Sequence, residues 1–354
     1  MSSLWKAAEV YLRLRSRGCA GAAWPAVVIC VAAAWGPAPA AAQPNPGGAA
    51  ARKAAKPAGD EVPPPEDVSL TTGDGLGLAM TYFPGTKGKD SIPVILLHAM
   101  KGSRQDFIKD GGLAPYLQEK LGCAVLAPDL RGHGESTTIT LDKKTKTLSA
   151  AKLQPSQFAL MITQDLQAVK DFLWKKNNAR DLNIDKLCVV GFEMGASVAL
   201  DFALYDAMGY DQGTPVYGPL KLGRFVKSLV LVSPEWSFPG LKTADAVKSA
   251  DVQRNISVMV LVGKDNPKFM ADAKRFNDMF ARYHSGEEDK PMELKTLWFG
   301  RLETSLEGAK LLDTKATGPG IDTPKLVGKF LYYRMVKNPE ASKIAWKERK
   351  RPHE

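Results

Sequence analysis

The sequence is poor in the residues that build disulfide frameworks and Cys/His metal sites. It contains 4 cysteines and 4 histidines in 354 residues. Cys19 and Cys30 lie in an N-terminal segment with the character of a signal peptide, which leaves Cys123 and Cys188 in the rest of the chain. Each of these two opens a predicted core strand, and buried free thiols are therefore favoured over a disulfide or a metal pair.

A second absence is an apolar run long enough to span a bilayer. Residues 1–18 are basic, and the apolar run AGAAWPAVVICVAAAWG follows them. This run is shorter than the ~20 residues of a spanning helix, and it contains Pro25. Small residues near Ala42 suit cleavage by signal peptidase. We therefore predict a signal peptide over residues 1–42 and an exported, periplasmic or secreted protein without a stable membrane span after cleavage.

The sequence also lacks a nucleic-acid motif, although its formal net charge is +10. Much of the surplus lies in LDKKTKT and in the tail KIAWKERKRPHE, and such charge could meet nucleic acid or an anionic envelope surface. No aromatic side chains interleave with the basic residues to form a groove for bases. We therefore favour a solvated basic surface, expect no nucleic-acid partner, and assign residues 338–354 to a basic C-terminal tail.

The remaining chain divides into a linker and one folded domain. Residues 43–67 are rich in Ala, Pro and Gly without apolar periodicity, which is typical of a disordered linker. Residues 68–337 alternate between β runs such as PVILLHA, KLCVV and ISVMVLVG and segments of helical periodicity. This alternation predicts an α/β fold with a mostly parallel sheet of about eight strands, helices on both faces and no large lid.

One turn of the chain has the layout of a catalytic turn. GFEMGAS, residues 191–197, stands between a β run and a helical segment and has the glycine spacing of GxSxG. Three further segments accompany it in the order LLHAMKGS, APDLRGHGES, GFEMGAS and LVGKDNP. In these segments, residues 68–337 resemble the α/β-hydrolase superfamily, in the branch of lidless dienelactone hydrolases, serine aminopeptidases and esterases. The resemblance implies the fold of that superfamily and, for an active member, an esterase-type hydrolase.

The resemblance also implies roles for individual residues of these four segments. Gly191 and Gly195 match the elbow glycines, and the backbone amides of Met100 and Met194 match the donors that would face an oxyanion. Four further residues match positions that hold loops in place rather than acting on substrate, and these are His98, Asp129, Arg131 and His133.

The residues at the triad positions depart from the family pattern. Glu193 stands where the nucleophilic serine is expected, and Ser197 lies one helical turn further on, facing the helix packing surface. Asp265 matches the acid, and Glu307 aligns with the histidine. No histidine lies between His284 and His353, so a slip in this alignment does not restore the base. Serine-hydrolase chemistry needs both the hydroxyl and the imidazole.

Three hypotheses follow from these replacements. The first is a non-catalytic protein that binds a small molecule or a protein partner in the former active-site cleft, with Glu193 near a helix N-terminus and paired with Lys101 or Arg301. The second is an esterase-like hydrolase that uses Glu193 as a carboxylate nucleophile. The third is a Ca²⁺ or Mg²⁺ ion bridging Glu193, Asp265 and Glu307, against which neutralisation by basic neighbours is favoured. We therefore predict no cofactor and no metal.

Overall fold

A computed structural model of the chain describes residues 62–209, 223–284 and 288–349. The predicted signal peptide, residues 43–61 of the predicted linker and residues 350–354 of the predicted tail lie outside the described residues. Regular structure begins with a strand at Glu66, shortly before the predicted domain start at Val68. No helix in the described part of the chain is both long enough and apolar enough to cross a membrane.

The described residues contain the strands β1 Glu66–Thr71, β2 Gly77–Phe83, β3 Pro93–Leu97, β4 Ala124–Pro128, β5 Thr138–Leu141, β6 Lys144–Thr147, β7 Leu187–Phe192, β8 Val226–Val232, β9 Ser257–Gly263 and β10 Leu297–Leu302. Eight of them form the central sheet, in the order β1-β2-β4-β3-β7-β8-β9-β10. β1 and β2 run antiparallel to their neighbours, whereas the pairs from β4 through β10 are parallel. The remaining two strands, β5 and β6, form a separate hairpin. The prediction of a mostly parallel sheet of about eight strands is confirmed.

Helices cover both faces of this sheet. On one face, Leu173 and Phe202 join a core cluster with Val189 of β7. On the other face, Leu117 packs in a second cluster with the next residue of the strand, Val190. Successive strand residues point to opposite faces, so a strand buried on both sides is a continuous apolar run. The helix bounds are α1 Gln105–Ile108, α2 Leu113–Leu121, α3 Pro155–Leu160, α4 Leu166–Asn178, α5 Met194–Gly209, α6 Thr243–Lys248, α7 Ala250–Asn255, α8 Pro267–Ala281, α9 Thr314–Thr317, α10 Thr323–Leu331 and α11 Pro339–Ser342, with π-helical turns at Met161–Asp165 and Tyr332–Lys337.

The two cysteines of the domain are free and buried, which confirms the prediction of buried thiols. Cys123 precedes β4 and Cys188 lies in β7, and these strands flank β3. Two strand spacings separate their backbones by roughly 10 Å, which is too far for a disulfide. Burial raises the pKa of both thiols, so both are held in the neutral form.

The C-terminal segment is attached to the domain by side-chain amides. Residues 344–349, here called the C-terminal strap, run past the end of α4. The amides of Asn177, Asn178 and Asn183 donate to backbone carbonyls of the strap at 2.8 to 3.1 Å. The indole of Trp346 donates to the carbonyl of Asn177 at 2.9 Å. The part of the predicted tail that the structure describes is therefore held against the domain by hydrogen bonds.

Candidate functional site

The segment GFEMGAS folds as a sharp turn between β7 and α5, with Glu193 at its apex. Glu193 has φ of 51°, a left-handed conformation that is uncommon for a non-glycine residue. Its backbone N–H donates to the carbonyl of Val232 at 2.9 Å. A Cβ on Gly191 would lie 2.2 Å from the carbonyl oxygen of Gly195, and a Cβ on Gly195 would lie 2.3 Å from that of Leu97. The helix α5 therefore approaches β7 at Gly191 and the end of β3 at Gly195 closely enough to require both glycines.

The carboxylate of Glu193 lies against the segment that follows β10. Gly308 has φ of 53°, and a Cβ built on it would be 1.8 Å from Oε1 of Glu193. The N–H of Gly308 donates to Oγ of the buried Ser233 at 3.0 Å. The structure thus brings Glu193 close to Glu307, the residue next to Gly308.

Asn266, rather than Asp265, contacts Glu307. The Asn266 amide donates to Oε2 of Glu307 at 2.7 Å, while Lys310 Nζ lies 3.0 Å from Oε1. Asp265 is exposed, and its backbone N–H donates to the carbonyl of Thr304. Asn266 takes this place because it is the N-cap of α8, which it joins through the N–H of Phe269. The Asn-Pro pair at this helix start is the sequence signal that could have identified it.

The electrostatics of the site are set by carboxylates and exposed lysines. Burial raises the pKa of Glu193, and the charges of Glu307 and Glu235 raise it further, whereas Lys310 and Lys268 oppose the shift. Lys268 Nζ lies 2.8 Å from Oε1 of Glu235. The cations that act on Glu193 are therefore Lys310 and Lys268, in place of the expected partners.

The expected charge partners, Lys101 and Arg301, are exposed at other positions. Lys101 lies in the turn that follows β3, and Arg301 lies on the edge strand β10. The sequence does not identify Lys310 as a partner, because its position depends on the 3-10 helix Gly308–Leu312. This helix places the ammonium group of Lys310 within hydrogen-bond distance of Glu307.

The other residues predicted at or near the turn are packed into the protein. Met194 is buried at the start of α5, and Met100 is partly buried against the core. The Ser197 hydroxyl is buried and donates to the backbone carbonyl of Glu235 at 3.1 Å. This contact engages Ser197 within the protein, away from the apex that Glu193 occupies.

The segment 129–136, here called the RGHGES loop, is held by buried ionic contacts. Asp129 accepts from the backbone N–H of Arg104 at 2.7 Å and forms an ion pair with its guanidinium. Arg131 is fully buried between Asp165, to which Nε donates at 3.1 Å, and Asp74, which accepts from Nη1 at 2.9 Å. These side chains fix the loop to the elements on either side of it.

The two histidines of this region are bonded to backbone groups. His98 Nε2 accepts from the N–H of Leu130 at 3.0 Å, so Nδ1 carries the proton and donates to the next carbonyl at 2.8 Å. Burial lowers the pKa of His98 to about 4, which keeps it neutral. The ring nitrogens of His133 face the carbonyl oxygens of Arg131, at 3.0 Å, and Met100, at 2.6 Å. Both rings therefore tie one loop to another.

The other two histidines do not supply a base to the turn in the described part of the chain. His284 lies beyond the end of α8, with Nδ1 2.6 Å from Oγ1 of Thr296, and it lines a cavity of about 880 Å³ along β10. His353 lies outside the described residues. The described residues also contain no group of three or more His, Cys, Asp or Glu side chains that could hold a metal ion.

Comparisons with known proteins agree with this architecture. The family model described as alpha/beta hydrolase fold matches residues 92–255. A dienelactone hydrolase from Anabaena variabilis superposes with a TM-score of 0.50 at 14% identity, covering 77% of this chain and 99% of the other. An esterase from Pyrococcus furiosus has 19% identity and a TM-score of 0.47, covering 76% of this chain and 92% of the other. No match to a curated protein was found. The chain has the α/β-hydrolase fold.

Proposed function

We propose that this chain is a non-catalytic α/β-hydrolase-fold protein that binds a ligand or a protein partner in the cleft beside Glu193. One observation carries the proposal: a carboxylate stands at the apex of the turn, and Glu307 with Asn266 stands opposite it. Acyl transfer by this fold needs a hydroxyl nucleophile and an imidazole that accepts its proton. Neither group is found at these positions, so the turn keeps its geometry without its proton-transfer chemistry.

The charge distribution supports a binding role and suggests the ligand chemistry. Glu193, Glu235 and Glu307 present carboxylates at one end of the sheet, and the two lysines that oppose them are exposed. Exposed ion pairs contribute little stability and exchange partners easily. A ligand that carries an ammonium group or several N–H donors could therefore displace the lysines and satisfy the carboxylates.

The absence of turnover is tested with activity-based probes. We expect no labelling by a fluorophosphonate and no hydrolysis of p-nitrophenyl acetate above the rate of the Glu193→Ala variant. Robust labelling, or hydrolysis that Glu193→Ala abolishes, would contradict the proposal that the protein is non-catalytic. Binding is tested by thermal shift with a panel of small amines, using their neutral alcohol analogues as matched controls. Amines should raise Tm, and Glu193→Gln should reduce that rise.

A second candidate is a hydrolase that uses Glu193 as a carboxylate nucleophile, and the elbow geometry favours it. The carboxylate would attack an electrophilic carbon, form an ester and expel the leaving group with its electron pair. Release of the product then needs an activated water, for which Glu307 would have to replace the usual imidazole. Incubation with an alkyl halide or an epoxide, followed by mass spectrometry, tests this candidate. A stable adduct on Glu193 that is lost in Glu193→Gln supports it, and an unmodified peptide excludes it for these electrophiles.

We also propose that the protein is exported, as its N-terminal sequence predicts. The support is the basic start followed by a short apolar run and small residues near Ala42. N-terminal sequencing of the protein from its natural host should give a first residue close to position 43. An intact N-terminus on the accumulated protein would contradict this proposal.

A further inference from the structure

The hairpin formed by β5 and β6 follows the RGHGES loop in the chain, and its residues do not contact Glu193 or Glu307 among the contacts described above. Its register places Ile139 opposite Lys146 and Leu141 opposite Lys144. Side chains alternate between the two faces of a hairpin, so these four residues share one face. The opposite face carries only threonines, namely Thr138, Thr140, Thr145 and Thr147.

The tip of this hairpin combines an exposed aliphatic side chain with exposed lysines. Leu141 is 57% exposed, the highest value among the large hydrophobic residues that the structure describes as exposed. Lys143, Lys144 and Lys146 are exposed, and none of them forms an ion pair with another described residue. Several other surface lysines do form such pairs, for example Lys274 with Asp278. With three lysines against the single carboxylate of Asp142, the tip therefore carries a net positive charge next to an unburied leucine.

The hairpin is fixed to the body of the domain. The N–H of Thr140 donates to the carbonyl of Gly75 at 2.9 Å, and Ile139 forms a bridge with Leu76. Its turn is tight, because Asp142 and Lys143 both have positive φ, of 50° and 64°, as in the two-residue turns that suit hairpin twist. The lysines and the leucine are thus presented by a short, anchored element.

We propose that this hairpin docks the protein peripherally on an anionic lipid bilayer. The lysines would contact the phosphate groups of the lipids, while the side chain of Leu141 enters the apolar boundary beneath them. Juxtamembrane lysines are attracted by the negative surface potential of such a bilayer, and the attraction is screened within a Debye length. A nucleic acid fits less well, since the hairpin has no aromatic ring on which a base could stack.

The test is co-sedimentation of the full chain with vesicles. Vesicles of phosphatidylcholine containing about 30 mol% phosphatidylglycerol are compared with vesicles of phosphatidylcholine alone, at low and high salt. The wild-type chain should bind the anionic vesicles and release them as salt rises. The Lys143→Glu, Lys144→Glu, Lys146→Glu triple variant should bind at least about tenfold more weakly, given the contribution of each lysine near such a surface. Leu141→Ser should weaken binding severalfold without changing its salt dependence.

A matched control separates the hairpin from net charge. The triple variant Lys89→Glu, Lys315→Glu, Lys325→Glu makes the same charge change at exposed positions elsewhere, and it should bind like the wild type. Equal Tm values would show that both variants fold. The proposal is overturned if the hairpin variant binds like the wild type, if both triple variants lose binding equally, or if the wild type ignores anionic vesicles. Hairpin-dependent binding to a short duplex DNA in preference to vesicles would also overturn it.

Discussion

The RGHGES loop and the carboxylates of Glu193 and Glu307 lie at the same end of the sheet, but their charges are compensated in different ways. In the loop, Arg131 is fully buried and has a carboxylate on each side. Glu193 and Glu307, by contrast, are only partly buried, and the lysine that pairs with Glu307 is exposed. One region is therefore a buried ionic network, and the other is a partly exposed group of carboxylates with exposed lysine partners.

The energetic consequences of the two arrangements differ accordingly. Removing one partner of a buried ion pair leaves an uncompensated charge in the interior, which destabilises a protein by about 3 to 5 kcal/mol. Exposed pairs contribute about 0 to 1 kcal/mol, since solvent screens them. The RGHGES loop should therefore contribute more to the stability of the protein than Glu193 and Glu307 do.

The largest expected effect comes from breaking the buried contacts of the loop. Arg131→Gln leaves Asp165 buried without its cation, and we expect the free energy of unfolding to fall by about 3 to 5 kcal/mol. Urea unfolding followed by circular dichroism measures this. The matched control is Lys264→Gln, which breaks the exposed pair with Glu303 and should leave the stability nearly unchanged, because solvent screens that pair. Equal losses in the two variants would remove the contrast.

The turn at Glu193, with Glu307 and Asn266 opposite it, should still have the geometry that a serine hydrolase needs. We expect the triple variant Glu193→Ser, Glu307→His, Asn266→Asp to hydrolyse p-nitrophenyl acetate, because these side chains would then meet as nucleophile, base and acid. The gain over wild type should be at least about 100-fold, in the range of a single general base. Glu193→Ser alone is the control and should stay near the background rate. A silent triple variant would mean that more than the side chains has changed.

A smaller effect should come from the polar anchor between β8 and the segment after β10. Ser233→Ala removes the acceptor of the Gly308 N–H, and an unsatisfied buried donor destabilises by about 1 to 3 kcal/mol. Ser233 has φ of 47°, so Ser233→Gly removes the same acceptor while tolerating that conformation. Chemical denaturation should rank the glycine variant between the wild type and the alanine variant. A glycine variant that is less stable than the alanine variant would show that the positive φ of Ser233 does not strain the backbone.

Sequence reasoning reached the parts of the site that local patterns encode. Gly191 and Gly195 were predictable because close contact between strand and helix excludes a Cβ at each. The contact of Asn266, rather than Asp265, with Glu307 was not predictable. It depends on which of two adjacent side chains the cap of α8 directs toward Glu307. The strap escaped prediction for a related reason. Its hydrogen bonds to Asn177 and Asn183 join segments far apart in sequence, and such pairs leave no periodic pattern.

The smallest expected effect is the pH dependence that Glu193 adds to stability. Its pKa is raised in the folded protein, chiefly by burial and then by Glu307. Below the ordinary pKa of a glutamate, both the folded and the unfolded states hold the proton, and the group makes no pH-dependent contribution. As pH rises through that ordinary value, the unfolded state loses its proton first, so stability falls. The fall ends above the raised pKa of the folded state, and the deficit then persists at neutral pH.

Glu193→Gln should remove this deficit, because the amide has the shape of the protonated carboxyl group. We expect Tm of the variant to exceed that of wild type near neutral pH and to match it near about pH 4, with a gain below about 1 kcal/mol at a partly exposed site. Glu303→Gln, an exposed carboxylate in the same segment, should shift Tm little at either pH. A loss of stability in Glu193→Gln at neutral pH would instead mean that Lys310 and Lys268 stabilise ionised Glu193. The charge of Glu193 would then be as well compensated as the charges in the RGHGES loop.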